Sequence, residues 1–181
     1  MAKNCFIQYH NCGKLGRWPS IKKENGEKGD WGGIFTKKAL PLEGNRVYLI
    51  AGVKQAGHAQ NDYFLWEYID VQSCRKDGNF LVYEGPRFPC KTPVLLNRIP
   101  EFAELKATSA NFSTGLQDRG KLAISTFIND DSLYISLKEI EDPIEWQCEF
   151  EEKYITDEYW RDTMRDERGK AVEIPVEESS T

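Results

Sequence analysis

The stretch Asp62–Val71 (DYFLWEYIDV) leaves few folds open to this chain. Aromatic and β-branched residues crowd it, and turn-forming residues bound it, so it reads as a strand. Strand alternation assigns Tyr63, Leu65, Glu67, Ile69 and Val71 to one face. Phe64, Trp66, Tyr68 and Asp70 then share the other, three rings in a row ending in a carboxylate. Two readings stay open. A strand buried on both faces also reads as a near-continuous apolar run. Flat rings beside a hydrogen-bonding group suit a planar, polar ligand such as a nucleobase.

Around this strand the chain is punctuated by turns. Asn4–His10 is a first strand, and Arg46–Lys54 (RVYLIAGVK) is a strong one. Gln55–Asn61 turns it back into Asp62–Val71, an antiparallel hairpin. Lys76–Asn79 (KDGN) is a tight turn, with Asp77-Gly78 suited to a primed type. Phe80–Tyr83 is another strand; Glu84–Pro93, with three prolines, should wander. Ile34–Lys38 is a short strand or a helix start. Pro100–Lys106 opens on proline and has helical spacing, Ser132–Ile140 has a serine start suited to a helix, and Glu158–Arg168 reads as an exposed helix. Many short strands, glycine turns and few helices predict an α+β chain, a small curved β-barrel with a few peripheral helices. Residues 1–150 would form this single domain, and 151–181 an acidic helix and tail, partly disordered.

The net charge of −5 conceals an asymmetry. From Glu139 onward there are 15 Asp/Glu against 5 Lys/Arg, a net of −10, which leaves +5 for residues 1–138. A mildly basic body suits a polyanion, and an acidic tail can shield it. No apolar run approaches the roughly 20 residues that span a bilayer, so no membrane association is expected. The N-terminal residues show no secretory signal. Five scattered cysteines fit neither a disulfide framework nor a CxxC-type zinc site. A cytoplasmic protein without a cofactor or metal is expected.

The long segment Asn11–Gly33 holds Trp18 and Trp31 among Lys14, Arg17, Lys22, Lys23 and Lys28. Basic residues interleaved with aromatics suit a nucleic-acid surface. The alternative is a loop folded back on the barrel with its tryptophans packed. Ser109–Gly120 is polar: its Asn111 amide can read a base edge, and Arg119 can pair with a phosphate. His10 ends the first strand at the mouth of the basic loop. Gly115–Lys121 matches the start of a phosphate-binding P-loop, but Leu122 stands where Ser or Thr must hold Mg²⁺, which rejects it. Asp142, Glu151 and Lys153 form a degenerate carboxylate-lysine pattern of the kind metal-dependent nucleases use. That makes a small enzyme an alternative, and a protein-interaction module using the acidic tail another.

YHNCGKLGRWP at Tyr9–Pro19, GIFTKK at Gly33–Lys38, RVYLIAGV at Arg46–Val53 and YFLWEYIDV at Tyr63–Val71 together resemble the PUA-like superfamily. They are most similar to the EVE-, ASCH- and SRA-type modules that read modified bases, often within restriction proteins. NFSTGLQ at Asn111–Gln117 resembles a loop near the binding face of such modules, so the likeness covers about residues 1–120. The resemblance implies a non-catalytic DNA-binding module that flips a base into an aromatic pocket. It implies Tyr9, Trp18, Trp31, Trp66 and Tyr68 as the rings and Asp70 as the polar reader; His10 and Asn111 are further base-contact candidates, with a partly buried, hydrogen-bonded histidine and a plain surface loop as the respective alternatives. Lys14, Arg17, Lys22 and Lys23 would face phosphates. DNA is favoured over RNA as the partner, with a nuclease acting as a separate partner or a fused domain.

Overall fold

The computed structural model describes residues 6–15, 18–19, 31–108, 116–118 and 127–155. Among these are strands β1 (Phe6–Asn11), β2 (Trp31–Thr36), β3 (Arg46–Val53), β4 (Asp62–Asp70), β5 (Ser73–Asp77), β6 (Phe80–Leu95) and β7 (Leu116–Asp118). Three helices accompany them: a single turn α1 (Cys12–Leu15), α2 (Phe102–Thr108) and α3 (Pro143–Tyr154). The strands join in one curled sheet of order β2-β6-β4-β3-β1-β7, with β5 paired to β6. The result is a half-barrel, in keeping with the small curved β-architecture expected. β1 runs parallel to β3, and the other pairings are antiparallel.

The β3–β4 hairpin forms as the sequence predicts, but not with the predicted faces. Its register shifts between Leu49 and Ile50, because Leu49 opposes Glu67 while Ile50 opposes Leu65. Trp66 is therefore the extra residue of a β-bulge, which reverses the alternation beyond it. Tyr63, Leu65 and Tyr68 join one core, while Phe64 and Trp66 join another on the opposite face. The predicted row of Phe64, Trp66, Tyr68 and Asp70 along one face is broken at this bulge.

β6 is the second departure. It runs unbroken for 16 residues, through Pro86, Pro89 and Pro93, where the sequence suggested a wandering segment. Its first half lies between β2 and β5. Its second half pairs with β4, from Arg87 opposite Ile69 to Leu95 opposite Phe64. Pro86 sits at the hand-over between the two halves, and Pro89 stands beside a register shift. Proline lacks the ladder N–H and is tolerated at such places. The β5–β6 turn has Asp77 opposite Phe80, so Gly78 and Asn79 are its central pair. Gly78 has φ +59°, as a primed turn requires.

Three apolar clusters hold the sheet. The largest packs Tyr9, Tyr48, Ile50, Leu65, Tyr68, Leu96, Phe102, Leu105, Ile128 and Tyr134 under α2 and the segment 127–137. On the opposite face Trp18, Phe64 and Trp66 pack under Phe150 and Ile155 from α3 and its end. Phe6, Ile34, Leu42, Val47, Ile69 and Tyr83 fill the fold of the curl. α3 was missed as a helix, although its start is conventional. Asp142 accepts a hydrogen bond from the Glu145 N–H at 3.1 Å, and Pro143 follows at the first helical position. The helix crosses residue 150, so the packed body extends to Ile155. Ser132–Ile140 forms two 3₁₀ turns, Asp131–Leu133 and Leu137–Glu139, instead of one helix. Asp130 caps the first, and Tyr134 between them bridges to Cys90. The predicted helix Glu158–Arg168 and the tail lie outside the described residues.

Close approach fixes Gly85. A Cβ there would overlap the Asp70 carbonyl oxygen and lie 2.7 Å from its carbon. Those are backbone atoms and cannot swing away. Gly85→Ala is expected to lower the unfolding free energy by about 2 kcal/mol or more, within the range for overpacking. A chemical-denaturation midpoint equal to that of the wild type would contradict this.

Candidate nucleic-acid interface

The sequence-derived ring candidates fall in three places. Trp18 and Trp66 stack at 5.3 Å with an interplanar angle of 13°. Phe150 and Trp146 pack edge-on against Trp66 at 5.2 and 5.6 Å. Both members of the stack are buried. The Trp-bearing segment thus folds back on the sheet at Trp18 and Pro19, and Trp31 opens β2. Tyr9 lies on the other face of the sheet against Tyr63, beneath Gly52, where any Cβ would overlap the Tyr9 hydroxyl. Burial and the neighbouring Tyr63 push the Tyr9 phenol well above its ordinary range. His10 is half-buried on β1 and pairs with Ala51, and Lys14 is exposed on α1. Arg17, Lys22, Lys23, Asn111 and Arg119 lie outside the described residues.

Tyr68 and Asp70 are the two candidates that meet other polar groups at a rim of the sheet. Arg46, the first residue of β3, is directly opposite Asp70, the last of β4. Its Nε donates to Asp70 Oδ1 at 2.9 Å, and a terminal guanidinium nitrogen donates to Asp131 Oδ1 at 3.1 Å. The guanidinium lies 4.2 Å from the centre of the Tyr68 ring, in cation–π contact. Phe88 stacks on the same ring at 4.8 Å, and Tyr134 meets it edge-on at 4.6 Å. Nearby, the Tyr48 hydroxyl donates to the Asn129 side-chain oxygen. Burial raises the Tyr68 phenol to about 12, although Arg46 pulls it down. The phenol is therefore neutral at physiological pH and can donate a hydrogen bond.

The rim combines layered flat groups with acceptors at their edge. Phe88, Tyr68 and the guanidinium form the layers. Asp131, at 79% side-chain exposure, and Asp70, at 34%, carry acceptors that solvent reaches. Guanidinium planes stack on bases, and carboxylates accept from the exocyclic amino group of cytosine. Arg46, Phe88, Asn129 and Asp131 were missed as site residues. Only the opposed charges at the two ends of the hairpin hinted at the Arg46–Asp70 pair.

A buried ion pair lies deeper. Arg87 donates from Nε and one terminal nitrogen to the two carboxylate oxygens of Glu67, each at 2.9 Å. Both residues are buried, and burial raises the Glu67 carboxyl against the lowering pull of Arg87. The Arg87 stem runs across Gly32, where a Cβ would come within 2.5 Å of its Cδ. The pair joins β4, β6 and β2 at the bend of the sheet.

The nuclease alternative finds Asp142 employed as the cap of α3. Among the described residues no group of three His, Cys, Asp or Glu side chains is placed to hold a metal. Nor is any described helix long and apolar enough to cross a membrane. Compared with known proteins, the chain matches no family model, no curated protein and no solved structure.

Proposed function

We propose that this chain is a nucleic-acid-binding module of PUA-like type that reads a modified, flipped base in DNA. The observation that carries the reading is the rim at Arg46, Tyr68 and Asp70. There a guanidinium is held over an aromatic ring and flanked by two accessible carboxylates. Arg46 is held by both aspartates at once, so its plane is set before any ligand arrives, which lowers the ordering cost of binding. A base extruded from a duplex would lie against the layer and offer its amino edge to Asp131 or Asp70. The body of the chain, net +5 over residues 1–138, supplies the sequence-independent attraction to phosphates.

Fluorescence anisotropy at low salt, with plain and cytosine-modified duplexes, tests this. The modified duplex is expected to bind more tightly, and both affinities to fall as salt rises. Asp131→Ala removes an exposed side chain and should leave folding intact. It is expected to erase about 1–3 kcal/mol of the discrimination, the worth of one good base contact. The reading fails if neither duplex binds, or if Asp131→Ala and Asp70→Ala both leave discrimination unchanged.

A further inference from the structure

The outer face of the β5–β6–β2 arm carries rings and charges in a two-sided order. Direct pairing sets Gly33 and Phe35 of β2 beside Glu84 and Val82 of β6. On the other flank of β6, Ser73, Arg75 and Asp77 of β5 stand beside Glu84, Val82 and Phe80. Directly paired residues share a face. Lys37, just beyond β2, joins this one, because its ammonium lies 5.4 Å from the centre of the Phe80 ring. Lys76, paired with Leu81, belongs to the opposite face, which packs into the fold of the curl through Ile34, Leu81 and Tyr83. Phe35 is 59% exposed and Phe80 43%, two of the three exposed large apolar side chains among the described residues. Phe35 and Arg75 thus flank Val82 at one height, and Lys37 and Asp77 flank Phe80 at the next.

Charge and symmetry select the occupant. Lys37 and Arg75 balance Asp77 and Glu84, so this face is neutral and offers no field to a polyanion or an anionic membrane. Its cation on the β2 flank, Lys37, has a complement at the same height on the β5 flank, Asp77, as an isologous contact requires. We propose that this face joins two copies of the chain about a two-fold axis running along β6. Rotation about that axis lays β2 over the partner's β5. Lys37 then meets the partner's Asp77, Phe35 meets the partner's Arg75 as a cation–π pair, and the two Phe80 rings meet at the axis. Each off-axis contact occurs twice. Lys37 makes no ion pair among the described residues, and Asp77, 58% exposed, stands 3.6 Å from Arg75, so both can take the new partner. Glu84 alone meets its like; its own Arg75 holds it at 3.0 Å, and Gly33 and Ser73 beside it leave it room. Packed sheets lie about 10 Å apart with their strands within about 30° of each other, a gap that these side chains span. The face covers roughly 14 by 20 Å, well under the ~800 Å² that each partner buries in a standard interface. The dimer is therefore weak and forms reversibly with concentration.

The test is sedimentation velocity on the full chain across a wide range of concentrations. The wild type is expected to show a reversible monomer–dimer equilibrium. The Phe35→Ala/Phe80→Ala variant changes only exposed side chains, and its thermal melt at low concentration should match the wild type. It removes both rings from each copy and should raise the dissociation constant at least about tenfold. Lys37→Asp and Asp77→Lys each set like charges against one another twice, and each variant should stay monomeric where the wild type dimerises. Mixed together, the two variants restore both pairs, and a heterodimer is expected. A wild type that stays monomeric at every concentration, or a dimer undiminished by loss of both rings, overturns the interface. Charge variants that dimerise alone as the wild type does, or that stay monomeric when mixed, overturn the two-fold pairing along β6.

Discussion

Replacing Arg87 by Met should destabilise the protein by about 3–5 kcal/mol at neutral pH, the usual cost of leaving one partner of a buried pair alone. Glu67 would then be an uncompensated carboxylate at 2% exposure. Coulomb attraction and two hydrogen bonds now offset its loss of solvation, and both vanish in the variant. The pH dependence separates this cause from simple loss of packing. Burial already raises the Glu67 carboxyl in the folded state, and removing Arg87 raises it further. A raised carboxyl means that the folded protein favours the protonated form. The stabilising effect of that proton is fully present below the ordinary carboxylate pKa and is lost as pH rises through the folded value. The variant's deficit should therefore be largest at neutral pH and shrink toward acid. Glu67→Gln in the Arg87→Met background removes the charge and should recover part of the loss at neutral pH. Urea denaturation at several pH values measures this. A deficit that stays constant with pH would mean that Arg87 acts only as filler.

Trp66→Ala should be as damaging, at about 3–5 kcal/mol for a large aromatic truncated in a closed core. The ring is fully buried and is touched by Trp18, Trp146 and Phe150. Its removal opens a cavity between the sheet and α3, and it takes the stacking partner from Trp18. Trp66→Phe is the informative control. The Trp66 Nε1–H is buried without a hydrogen-bond partner among the described residues. Phenylalanine discards that unsatisfied donor, worth about 1–3 kcal/mol, and so offsets part of the lost volume. Thermal melts should place Trp66→Phe much closer to the wild type than Trp66→Ala. Equal losses in the two variants would show that the N–H carries no penalty. Neither substitution is a clean probe of ligand binding, because both act first on the core.

How far these sites were legible from sequence turns on one residue of register. A bulge-free hairpin with Val53 opposite Asp62 would set Arg46 against Ile69, and no ion pair would be foreseen. The bulge at Trp66 moves the register by one and brings Arg46 to Asp70. It also takes Tyr68 away from the Phe64/Trp66 face and into the Tyr63/Leu65 core. Alternation in β4 is too apolar on both faces to reveal such a slip. β1, β3, β4, the start of β6, the Lys76–Asn79 turn and α2 were plain, because local pattern specifies them; β2 was read as a strand or a helix start, and β5 and β7 were not read as strands. The unbroken course of β6 was not plain, since its prolines are tolerated only through partners distant in sequence. α3 is a different case: Asp142-Pro143 was a readable start signal, obscured by the surrounding acids.

The shared strand β6 has a consequence for how the molecule comes apart. One continuous backbone forms the middle of the β5–β6–β2 arm and then a neighbour of β4 in the main sheet. Displacing β6 breaks the hydrogen bonds of both parts at once, and the Arg87–Glu67 pair rivets them at the join. Unfolding should therefore be a single cooperative event, with amides in the interiors of β2 and β4 exchanging through the same global opening. The exposed rings of the arm would then stay on a rigid support until the whole chain unfolds.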